Sequence, residues 1–80
     1  MLKPAIHLNG TPAADLIRQT TDAMVALDLA IEAMVRAAPN GRDYYPQGAD
    51  AVQQAQDEHR ARIAAVAGVR DYYEDVVISC

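Results

Sequence analysis

One stripe of residues decides most of what this chain can become. Ile17, Thr20, Met24, Leu27, Ile31, Met34 and Ala38 follow one another at alternating steps of three and four. That spacing lays a narrow seam along one face of an α-helix, and such a seam is buried by packing on another helix. Leu16, Ala23, Ala30 and Ala37 flank it, most of them small enough to let a partner helix approach. Thr11-Pro12 opens the helix, with the Thr hydroxyl as N-cap and Pro at N1, where its missing N–H costs nothing. Asp15 lies near the first turn, on the side the helix dipole favours. Pro39-Asn40-Gly41 ends the run, because the residue before Pro avoids α geometry and Asn-Gly favours a turn. The first helix is therefore expected over 12–38, roughly 40 Å at 1.5 Å per residue.

A second helix is expected over 49–76. Its inward stripe reads Val52, Ala55, His59, Ile63, Val66, Val69 and Tyr73, then Val76 or Val77. Gly68 falls inside it, where it either admits a neighbouring helix or marks a slight kink, at a cost of about 1 kcal/mol relative to Ala. The fold class is thus all-α, a single domain over 1–80: an antiparallel two-helix hairpin joined by a connector over 39–48. Short extended termini complete it. Asn9-Gly10 turns the chain into the first helix, and the β-branched run Val76-Val77-Ile78 leaves the second as an extended tail. A two-stranded ribbon between Ala5–Leu8 and Val76–Ile78 is the expectation at that end.

Such a hairpin has a thin interior. Apolar residues make up 51% of the 80, but much of that fraction is alanine, Phe and Trp are absent, and the aromatics are four Tyr. Apolar burial contributes about 25 cal/mol per Å², and it must offset roughly 1.5 kcal/mol of ordering entropy per residue. Small domains usually close this gap with disulfides, a metal or association. Cys80 is the only cysteine, and with His7 and His59 it forms no zinc-type ligand pattern. Association is what remains. Val25 and Leu29 lie opposite the seam, and the connector offers no core to Tyr44 and Tyr45, so a homo-oligomeric helical bundle is expected.

The connector carries the most chemistry. It reads Pro-Asn-Gly-Arg-Asp-Tyr-Tyr-Pro-Gln-Gly, where a plain helix–helix link needs only a few turn residues. Arg42 supplies paired donors for a phosphate or carboxylate, and Tyr44 and Tyr45 supply ring faces with hydroxyls. The plainer reading has the Tyr pair closing the hairpin end and Arg42 pairing with Asp43 or a helix terminus. The second candidate is Asp57-Glu58-His59-Arg60-Ala61-Arg62. His59 stands on the inward stripe, where an Asp28–His59 pair across the hairpin would satisfy the imidazole. Arg60 and Arg62 point to different sides and would converge only with groups from another subunit. The candidate ligand-binding set is Arg42, Tyr44, Tyr45, His59, Arg60 and Arg62.

Other classes are set aside. A net charge of −4 gives no basic face for nucleic acid. No apolar run reaches signal-peptide or membrane-span length, so the chain is expected in the cytoplasm, and the Asn9-Gly10-Thr11 sequon reads as a turn. No nucleophile–base–orienter set can be assembled, so no catalytic residues, metal or cofactor are expected.

The strings Ile6-His7-Leu8-Asn9-Gly10-Thr11 and Ala38-Pro39-Asn40-Gly41-Arg42-Asp43-Tyr44-Tyr45-Pro46-Gln47-Gly48 come before a helix bearing Ala55-Gln56 and Glu58-His59. On these the chain resembles a family of small phage and prophage helical proteins, a likeness that implies no activity and carries over no functional residue. It is more loosely similar to phage helical-hairpin sponges that sequester host immune signals. The resulting expectation is a non-enzymatic phage protein whose oligomer sequesters a small anionic, nucleotide-like ligand to evade host defence. The alternative is a protein-interaction module that inhibits a host protein or scaffolds a phage assembly.

Overall fold

The structure, a computed structural model, describes residues 2–7 and 10–79. Expectations placed on Leu8, Asn9 and Cys80 lie outside them. Helix α1 spans Ala13–Arg36, a short α2 spans Gly41–Tyr44, a 3₁₀ turn follows over Tyr45–Gln47, and α3 spans Ala49–Ser79. Helices α1 and α3 pack antiparallel, giving a rod of 60 × 20 × 16 Å. Its radius of gyration is 18.0 Å, against about 12 Å for a compact chain of this length.

The seam of α1 forms as its spacing dictates. Ile17, Met24, Leu27, Ile31 and Met34 are half-buried and Thr20 is buried, whereas Ala38 lies exposed beyond the helix end. The N-cap position is held by Pro12 rather than Thr11, with no side-chain cap bond. Pro12 is extended (φ −55°, ψ 145°), and its carbonyl takes the first helical bond, from Leu16 N–H at 3.0 Å. The helix ends two residues early, at Arg36, and the N–H of its C-cap Ala37 reaches back to Ala33 and Met34.

Helix α3 departs from expectation in two places. Val69 does not face α1: it is 46% exposed, and Arg70 takes the inward position. The half-buried rhythm Val66, Arg70, Tyr73, Val77 keeps alternating four and three, and a long Arg stem can lie on an apolar seam while its head reaches water. The end of the chain differs as well. Val76-Val77-Ile78 stay helical through Ser79, so the extended tail and the ribbon with Ala5–Leu8 do not form, and no strand occurs among the described residues. Val76 is the most buried apolar side chain at 3% exposure, and Ser79 Oγ bonds back to the Asp75 carbonyl at 2.7 Å. Tertiary burial here outweighs the β-preference of the branched residues. The segment 2–7 runs back beside this end of α3. Tyr72 donates its hydroxyl to the Leu2 carbonyl at 2.7 Å, and Lys3 Nζ lies 4.0 Å from Asp75.

The connector is folded, not looped. Asn40 is extended (φ −112°, ψ 155°) and its side-chain oxygen accepts from Asp43 N–H at 3.3 Å, capping α2. Gly48, at φ +101°, makes the turn into α3, a conformation only glycine adopts freely.

Candidate functional site

The folded connector sets the register between the long helices. It lies along the first turns of α3 instead of closing the tip, so Ala37 and Pro39 come level with Glu58 and His59. The Asp28–His59 pair therefore does not form. His59 lies against the end of α1, its Nε2 donating to the Met34 carbonyl at 2.6 Å. That carbonyl belongs to the last turn of α1, where helical acceptors lack partners, and it also receives Ala37 N–H at 3.1 Å. Asp28 instead meets Arg70.

Arg70 is the most connected charge among the described residues. Its Nε donates to Asp28 at 3.0 Å across the seam, and its NH1 donates to Glu74 at 2.5 Å along α3. Asp71 stands 3.8 Å away. The Asp28 hydrogen bond does most to hold the guanidinium above its ordinary pKa, partly opposed by desolvation, with Glu74 adding to the rise. The bridge works as a register pin between the helices. Sequence reading missed it because Val69 is apolar and adjacent. The signal was present in Glu74, four residues on, and in the step of four from Val66.

A cleft of 350 Å³ opens where the connector meets α3. Tyr44, half-buried, and Gln47 line it from the connector, and Ala51, Gln54, Ala55, Glu58, His59 and Arg62 line it from α3. Tyr44 therefore has a packing site, contrary to the expectation for both connector tyrosines. Arg62 lies 3.7 Å from Glu58. The cleft offers amides, an imidazole, a phenol and one neutralised cation, a hydrogen-bonding site more than an anion site.

Of the six predicted ligand residues, one chain brings together Tyr44, His59 and Arg62. Arg60 lies on the opposite flank of His59, beside Val35 and Ile63, and is paired with Asp57. Tyr45 is 83% exposed and borders a separate hollow with Pro46 and Val52. Arg42 is exposed and lines neither. Gln47, Gln54 and Glu58 were not foreseen as a group. Their common face is legible only once the connector is known to fold onto α3.

Among the described residues no group of three His, Cys, Asp or Glu side chains gathers to hold a metal, and no helix is long and apolar enough to cross a membrane. Comparison with known proteins finds no matching family model, no matching curated protein and no matching solved structure.

The surface is the remaining functional feature. The chain exposes 5922 Å², whereas a compact protein of 8.7 kDa exposes about 4,700 Å². The excess, about 1,200 Å², exceeds the roughly 800 Å² per partner of a standard protein–protein interface. No large side chain among the described residues is fully buried, and Val25, Leu29 and Val35 are 54%, 60% and 57% exposed on α1.

Proposed function

We propose that this chain is a non-enzymatic interaction protein that works as an assembly of helical hairpins. The observation that carries this reading is the surface: a rod with a half-buried seam and an excess of exposed area larger than one partner's share of a standard interface. A phage or prophage origin, with inhibition of a host protein or scaffolding of a phage assembly as its purpose, belongs to the same reading. Native mass spectrometry of the purified chain tests it. The expected result is a multiple of 8.7 kDa, or a stoichiometric protein companion. A bare monomer at all working concentrations would refute it.

A second reading is favoured by the connector cleft. Tyr44, His59 and Arg62 would hold a small planar, polar ligand, with the assembly acting as a sponge for a nucleotide-like signal. Arg42, Tyr45 and Arg60 would join such a site only from a neighbouring copy. Calorimetry with cyclic dinucleotides and ADP-ribose derivatives tests this, with Tyr44→Ala and Arg62→Ala as the variants expected to abolish the heat. Absence of heat with every one of these ligands would remove it.

A further inference from the structure

The outer face of α1, turned away from α3, has an order of its own. Asp22, Val25, Leu29, Ala33 and Arg36 follow at steps of three, four, four and three, all exposed, on one side of the helix. The spacing is symmetric about Leu29, and the charge at its two ends is opposite. Neither Asp22 nor Arg36 takes part in an ion pair among the described residues, although Arg18, Arg60, Arg62 and Arg70 each have an acidic partner. A second copy turned by a two-fold axis at Leu29 would bring Leu29 against Leu29, Val25 against Ala33 and Asp22 against Arg36. Every charged end then meets its complement twice, because a two-fold interface repeats each contact.

We propose that α1 pairs antiparallel with α1 of a second copy through this face, with the two-fold axis at Leu29. The inference rests on the reading of the chain as an assembly and adds the partner, the face and the register. Three observations converge on it. The apolar residues Val25, Leu29 and Ala33 occupy the middle of the stripe and the charges its ends, the order of an interface core and its rim. The alternative register that sets Val25 against Leu29 places Arg36 against Arg18 and Asp22 against Glu32, so like charges disfavour it. The exposed area in excess of a compact chain is also enough for one interface of ordinary size.

The test uses the full chain. In sedimentation equilibrium, Asp22→Arg and Arg36→Asp are each expected to weaken self-association by about tenfold, since each sets two like-charge contacts. The double variant Asp22→Arg/Arg36→Asp is expected to restore it. A Leu29→Cys variant in a Cys80→Ser background reads the register directly. It should form a disulfide-linked dimer on mild oxidation, because the two-fold axis brings the sulfurs together. Val25→Cys should not, because its copies stand about 12 Å apart along the helix axis, beyond disulfide reach. An assembly unaffected by either charge reversal, or linked through Val25→Cys instead, would overturn the proposed face while leaving the association reading intact. A monomer at every concentration would overturn both and leave this face to a partner of another sequence.

Discussion

Two glycines in this chain should respond to the same substitution with opposite signs. Gly68 lies inside α3 with ordinary helical geometry, and a Cβ built on it meets nothing within 4 Å. Replacing it with Ala removes the excess backbone entropy of glycine in a helix interior, about 0.8–1.0 kcal/mol. Gly48 also has open space around a built Cβ, but its φ of +101° and ψ of 168° lie where L-residues are strained. Ala there costs of order 1–3 kcal/mol. For a domain of this size 1 kcal/mol moves Tm by about 4–8 °C. Gly68→Ala should therefore melt about 3–8 °C above wild type, and Gly48→Ala about 4–24 °C below it. Circular dichroism at 222 nm reads both, with all samples at one protein concentration, because association makes Tm concentration-dependent. Destabilisation by Gly68→Ala would refute the reasoning, since it would mean that another helix packs closely on Gly68.

Other substitutions probe single interactions. Asn40→Ala removes the cap on α2 and should lower stability by about 0.5–1 kcal/mol, seen as a lower denaturation midpoint in urea. Thr20 is 6% exposed in the apolar seam, and no buried side-chain polar atom among the described residues lacks a partner, so Thr20→Val should shift stability by no more than about 1 kcal/mol. A loss above about 3 kcal/mol would mean that the hydroxyl holds the two helices together. His59→Leu loses the bond to the Met34 carbonyl but leaves that oxygen its Ala37 partner. Its stability should stay within about 1 kcal/mol of wild type, and a loss above about 3 kcal/mol in the same urea titration would show that the imidazole does more than tie α1 to α3.

The helical seam was legible because it depends on local spacing. Every expected position from Ile17 to Met34 turns inward, and the placement of Val25 and Leu29 opposite that seam announced their exposure. What stayed hidden depends on tertiary placement. Nothing in Pro-Asn-Gly-Arg-Asp-Tyr-Tyr-Pro says that it coils into a helical turn and lies on α3, and that one fact moves the partner of His59 from Asp28 to Met34. Arg70 was hidden by its chemistry, since a hydrophobicity pattern passes over a charged residue whose stem does the packing. The β-branched end misled for the opposite reason: local preference suggested an extended tail, and burial of Val76 keeps it helical. The candidate ligand set was half assembled, because the connector brought Tyr44 onto α3 while turning Arg42 and Tyr45 outward.

Thermal melts over a thousandfold range of protein concentration test the dependence of this fold on a second molecule most directly. If folding and dimerisation are coupled, each tenfold dilution removes about 1.4 kcal/mol per dimer. Over the roughly 160 residues of a dimer this lowers Tm by about 3–6 °C per decade. A single cooperative transition at the same temperature throughout, from a species of 8.7 kDa, would contradict the account.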